Sequence, residues 1–171
     1  MALDQETLNQ FVDSVRRYVR DRLVPLEMQV AEEDRIPDDV IDELKELGLF
    51  GLSIPEEFGG LGLNMAEEAA IIQEMGYTSP VFRSMFGTNV GIGSQGIIID
   101  GTAEQKARYL PKLATGELIG SFALTEADAG SDAGSVMTAA GRRRLHHQWR
   151  QTLHYQRTPC GCVHCNGADG P

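Results

Sequence analysis

Ser121-Phe-Ala-Leu-Thr-Glu-Ala-Asp-Ala-Gly-Ser-Asp-Ala-Gly-Ser135 is the stretch on which the reading of this chain turns. An apolar run that can lie extended, Phe122 to Leu124, passes directly into a turn of small and hydrogen-bonding residues. Thr125, Ser131 and the amides around Gly130 offer donors at a place where few side chains are large enough to hold a bound group away. Residue chemistry alone says that a polar group is bound here, against the plain alternative of an ordinary strand and turn.

Upstream, the pattern is helical. Leu8, Phe11, Val12, Val15, Val19, Leu23 and Leu26 recur at helical spacing behind a capping Asp4, so a long first helix is predicted, bent or restarted at Pro25. Pro37, Asp38 and Asp39 begin another, with Val40, Ile41, Leu44 and Leu47 on its apolar face and Gly48 as its stop. A glycine-rich loop follows, then a helix over Met65–Tyr77 expected to turn Ala69, Ile72 and Met75 inward. Residues 80 to 100 read as one buried helix interrupted by small residues. Thr102 and Gln105 form a capping-box pattern before a helix ending near Leu113, and from Leu118 the period shifts towards extended structure. Helices first and strands afterwards predict an α+β fold: a mostly α-helical domain followed by the first strands of a β-domain.

Three ordered motifs resemble the acyl-CoA dehydrogenase family. The stretch from Phe122 to Asp132 resembles that family's flavin-binding signature, approximately Tyr/Phe-x-Leu/Val-Thr-Glu-Pro-x-Ala-Gly-Ser-Asp, with Ala127 in place of the proline. Pro55-Glu-Glu-Phe-Gly-Gly-Leu-Gly-Leu63 is similar to the loop after its second helix, and Asp100 to Glu117 to its approach to the β-domain. The resemblance covers residues 1 to about 140. It implies a helical N-terminal domain over 1–117 and the start of a middle β-domain over 118–140.

By the same resemblance the backbone at Phe122 and Leu124 and the Thr125 hydroxyl meet the ring of FAD, while Gly130 and Ser131 lie near the cofactor, with Ser131 also near the thioester substrate. The implied activity is α,β-dehydrogenation of an acyl-CoA to a trans-2-enoyl-CoA, with electrons passed to an electron-transfer flavoprotein by a homotetramer. An acyl-CoA oxidase or a nitroalkane-type flavoenzyme shares the same implied fold. The family's catalytic glutamate belongs to a C-terminal bundle, so no catalytic residue is assigned to this chain, and the 171-residue polypeptide is expected to be incomplete and inactive alone.

Charge divides the chain. Residues 1 to 141 hold 10 Lys and Arg against 24 Asp and Glu, a net −14, whereas 142 to 171 hold 5 against 1, a net +4. An acidic body argues against nucleic-acid binding, which needs clustered cations. No transmembrane run, secretory signal or transit peptide is visible, so a cytoplasmic protein is the expectation.

All three cysteines, all four histidines and the single tryptophan fall after residue 141. Cys160, Cys162 and Cys165 with His146, His147, His154 and His164 have spacing that permits zinc, which makes a small non-enzymatic helical protein with a zinc-binding tail the rival reading. A second explanation comes from the codons. Read one nucleotide later, Trp149 followed by Arg150 must give Gly, and a permissible codon choice across 141–170 yields alternating, strand-like sequence with a Tyr-Ile-Thr-Asn that resembles the family's next flavin contact. The tail over 141–171 is therefore expected to be a non-family, out-of-frame and disordered product, with its Cys and His cluster accidental.

Two other patterns carry little weight. Gly91-Ile-Gly-Ser-Gln-Gly96 matches Gly-x-Gly-x-x-Gly, but no βαβ unit surrounds it; small residues there suit a close approach of helices or an acyl chain. Glu56, Glu57, Glu67 and Glu68 read as solvated faces rather than paired acid and base.

Overall fold

Asp4 starts the first helix as its side chain demands: it accepts the Thr7 amide at 2.9 Å and the Thr7 hydroxyl at 2.6 Å, opening α1 over Gln5–Tyr18. These hydrogen bonds hold the Asp4 carboxyl below its ordinary value. The computed structural model describes residues 4–122, 130–132, 134 and 163–164.

Pro25 does what its missing N–H requires. The α-helical ladder widens into a π turn over Val19–Leu23, tightens into a 3-10 turn over Val24–Leu26, and resumes as α2, Glu27–Glu33. Val15, Val19, Leu23 and Val30 keep facing the core through this change of pitch. Next comes α3, Asp38–Glu46, closed by a left-handed Gly48 (φ 73°).

The loop after α3 is packed rather than loose: Leu49, Phe50, Leu52 and Ile54 are fully buried. Helix α4 spans Met65–Met75 behind a capping box, with Asn64 accepting the Glu67 amide at 3.1 Å and Glu67 accepting the Asn64 amide at 2.8 Å. Its inward face differs from the one expected. Ala69 is exposed and Ile72 only partly buried, whereas Glu67, Ile71, Glu74 and Met75 are buried. Ile71 and Met75 are one turn apart on the core side. Glu67 is therefore no solvated carboxylate, because the cap it completes carries it inward.

Residues 80 to 100 form two helices instead of one. α5 runs Pro80–Val90 and α6 runs Gln95–Asp100, separated by a turn in which the Gly93 amide reaches back to the Thr88 carbonyl at 2.7 Å. α5 buries Phe82 and everything from Met85 to Val90, so its second half is the centre of the domain. α7, Ala103–Ala114, begins with the expected capping box between Thr102 and Gln105.

The main core joins α1 to α5 around Phe50, Phe82 and Phe86; Phe50 meets Phe86 edge to face with centroids 6.2 Å apart. A smaller core of Ile54, Leu110, Leu113 and Ala114 ties the loop after α3 to α7. The described residues are mostly helical. The extended segment β1, Gly120–Ser121, pairs in parallel with β2, Val163–His164, matching Gly120 to Val163 and Ser121 to His164. The remainder of the tail expected to be out of frame and disordered lies outside the described residues.

Candidate functional site

The segment singled out by sequence begins where the helices end. α7 delivers Leu113 and Ala114 into the small core, Gly116 turns the chain in a left-handed conformation (φ 71°), and the Leu118 amide donates back to the Lys112 carbonyl at 3.0 Å. A Lys112–Glu117 ion pair at 2.9 Å brackets the turn on its exposed side. Gly120 is buried, Ser121 partly so, and Phe122 is 44 % exposed. Exposure thus rises residue by residue as the chain leaves the packed surface of the helices.

Phe122, Gly130 and Ser131 are all exposed, and nothing lies within 4 Å of the point where a side chain at Gly130 would begin. Asp132 accepts the Gly134 amide at 3.2 Å, a local turn just past Ser131. Leu124 and Thr125 lie outside the described residues. The Ser131 side chain and the Gly130 backbone are thus open to a bound group, as is the Phe122 ring earlier in the chain.

What seats this strand was not visible in the sequence. Asn89, near the end of α5, is fully buried; its amide group donates to the carbonyls of Leu113 at 2.9 Å and Leu118 at 2.8 Å and accepts from the Gly120 amide at 2.6 Å. The Val90 carbonyl beside it, one of the helix's unpaired terminal acceptors, takes the hydroxyls of Ser53 and, at 3.4 Å, Ser94. Sequence reasoning counted Asn89 as part of an apolar run. Its one signal is an amide side chain among residues otherwise headed for the core, since a buried amide needs partners.

The loop at residues 55 to 63 earns its glycines sterically. A Cβ on Gly60 would stand 2.0 Å from the Ile54 carbonyl oxygen, so the loop folds back on its own backbone. The Leu63 and Gly62 amides then donate to the Leu52 and Ile54 carbonyls at 2.8 and 2.9 Å, closing the loop over the small core.

Among the described residues no group of three or more His, Cys, Asp or Glu is placed to hold a metal, and no helix is long and apolar enough to cross a membrane. Cys160, Cys162, Cys165, His146, His147 and His154 lie outside the described residues, and His164 is described only as backbone of β2. Glu56 and Glu57 are exposed, as expected. Glu68 is half-buried; burial raises its carboxyl above the ordinary value while the Arg83 charge lowers it.

A family model described as the acyl-CoA dehydrogenase N-terminal domain matches residues 5–117. The chain belongs to the acyl-CoA dehydrogenase family. It is 38 % identical over 135 residues to the mitochondrial very long-chain specific acyl-CoA dehydrogenase of Macaca fascicularis, an alignment covering 79 % of this chain and 20 % of that protein. Thus the chain spans a fifth of that relative's length. An acyl-CoA dehydrogenase of Bacillus anthracis, solved in complex with FAD, superposes with a TM-score of 0.67 at 35 % identity, over 75 % of this chain and 23 % of that one. A chain from the electron transferring flavoprotein structure of Acidaminococcus fermentans, a study of flavin-based electron bifurcation, superposes with a TM-score of 0.69 at 28 % identity, covering 78 % and 35 %. The residues that match the acyl-CoA dehydrogenase N-terminal domain, 5–117, take in α1 to α7 and the loop at 55–63.

Proposed function

We propose that this domain serves an FAD-dependent acyl-CoA dehydrogenase, which oxidises an acyl-CoA thioester to a trans-2-enoyl-CoA and passes electrons to an electron-transfer flavoprotein. Family membership over residues 5–117 supports the reaction class, and the relative solved with FAD supports the cofactor. The observation that carries the reading is the strand that leaves the helical core at Gly120 and offers an exposed Phe122, with Gly130 and Ser131 also open to solvent.

In this proposal FAD supplies the acceptor for the hydride leaving the β-carbon. The chain's own part is to bind and orient. Backbone groups at Phe122 and Leu124 and the hydroxyl of Thr125 would hold the flavin ring, and hydrogen-bond donors there would favour the charge it gains on reduction. Gly130 and Ser131 would lie near the cofactor, with Ser131 also near the thioester. Helices α5 and α6 would form one wall for the acyl chain, α5 being the buried one of the pair. No catalytic base is assigned to a residue of this chain. A homotetramer is the assembly proposed for the enzyme.

Purification of the longest product the gene encodes, followed by assay with saturated acyl-CoAs of graded length, tests this reading. Formation of 2-enoyl-CoA coupled to reduction of an electron-transfer flavoprotein is the expected result. Oxygen consumption with peroxide release in place of that coupling would assign the protein to an oxidase, and no acyl-CoA consumption at any length would end the proposal.

A further inference from the structure

One side chain holds both ends of the turn by which the chain passes from α7 to β1. Asn89 contacts Leu113 in the last turn of α7 and both Leu118 and Gly120 at the entry to the strand, all through backbone groups. Its partners fix its orientation, since two carbonyls must face the NH2 group and one N–H must face the oxygen. A buried turn needs partners for its polar backbone. A neutral amide supplies two donors and an acceptor at a fully buried place, where Asp or Lys would offer one kind and bring a charge.

Steric contact pins the same point from the other side. A Cβ on Gly93 would lie 2.6 Å from the Thr88 carbonyl oxygen and 3.4 Å from the Gly120 Cα, and one on Gly120 would lie 3.3 Å from the Gly93 Cα. The missing side chain of Gly93 thus lets β1 seat close to the end of α5.

We infer that Asn89 is a positioning residue for the strand read as flavin-contacting: by fixing Leu118 and Gly120 it sets the direction in which the chain leaves the domain at Phe122. The inference rests on the flavin reading of that strand. An extended chain rises about 3.3 Å per residue, so a swing of about ten degrees at Gly120 moves an atom at Phe122, two residues on, by about 1 Å, a third of the length of a hydrogen bond. Asn89 touches neither cofactor nor substrate in this assignment; it acts through the backbone.

The test compares wild type, Asn89→Ala, Gly120→Ala and the remote Glu74→Gln in the longest product the gene encodes. Helical content is followed by circular dichroism, FAD affinity by titration with free FAD, and the bound flavin by its visible absorption. Asn89→Ala is expected to keep the helical spectrum, weaken FAD binding at least tenfold and blur the resolved flavin band towards that of free FAD. Gly120→Ala, which pushes the clasped backbone away while leaving Asn89 in place, is expected to weaken binding several-fold, and Glu74→Gln to bind as wild type. Asn89→Ala with wild-type affinity and spectrum overturns the inference; if that variant does not fold, Gly120→Ala decides on the same two readouts. Wild-type protein that takes up no FAD removes the flavin reading and this inference together, whereas wild-type binding matched by both variants removes the inference alone.

Discussion

Arg16 and Asn89 each join distant parts of one helical domain, and they do so by opposite chemistries. Arg16 on α1 grips Glu74 on α4 through two parallel hydrogen bonds, 3.0 Å from Nε and 2.8 Å from Nη2, and its neighbour Arg22 spans Asp39 at 2.5 Å and Glu43 at 3.1 Å on α3. Both guanidinium groups keep contact with water, and Tyr18 adds a hydroxyl to Glu43 at 2.8 Å. Burial, together with Glu43, pushes that phenol above its ordinary value. Asn89 works without charge and without solvent. A clasp at the rim of the domain can use ions because water lowers their desolvation cost, at the expense of sensitivity to salt. Beside the strand that leads to Phe122, a neutral group makes three directed hydrogen bonds with no charge to desolvate.

The largest effect is expected at the core that both clasps share. Phe86→Ala removes a fully buried ring packed on Phe50 and should cost about 3–5 kcal/mol, read by thermal or denaturant unfolding. One cooperative transition is expected, with both regions lost together; two separated transitions would break the comparison by showing two independent units.

Asn89→Ala comes next. It strips partners from buried backbone groups, at about 1–3 kcal/mol for each group left unpaired, and water entering the vacated space recovers part of that loss. The remaining loss should be the same in low and high salt. Glu74→Gln is expected to destabilise less, and by an amount that shrinks as sodium chloride is raised, because Arg16 retains Asp13 at 2.6 Å. A salt-dependent loss at Asn89 or a salt-independent one at Glu74 would contradict the assignment of the two chemistries.

The smallest effect concerns Glu68. Its raised carboxyl means that the folded state favours the protonated form, so its contribution to stability is fully present below the unfolded value of 4.5 and is lost as pH rises through the folded value. Glu68→Gln should therefore melt slightly above wild type at neutral pH, with the gap closing in acid. A variant that melts lower at pH 7 would show that Arg83 outweighs burial there.

Where local signals decide structure, the sequence was readable. Asp4 with Thr7, Pro37 with Asp38 and Thr102 with Gln105 set helix starts through contacts within a single turn, and each lies where its pattern put it. Pro25 likewise marks a change of helical pitch. The α4 face was misread because Glu74 is carried inward by an arginine 58 residues away, a pairing no local period reveals. Residues 80 to 100 read as one helix on apolar content, whereas Gly93 closes a local turn onto the Thr88 carbonyl that divides them. Asn89 escaped notice because its partners are backbone groups 24 to 31 residues on, and backbone leaves no mark in the sequence. Phe122, Gly130 and Ser131 were legible as candidates through their motif, and the structure leaves all three exposed.

The most direct test of the account is an FAD titration of the longest product the gene encodes, monitored by visible absorption and flavin fluorescence. Saturable binding of one FAD per chain, with the flavin band bleached by a saturated acyl-CoA in the absence of oxygen, is the predicted result. A folded, colourless protein that leaves added FAD free in solution would contradict it.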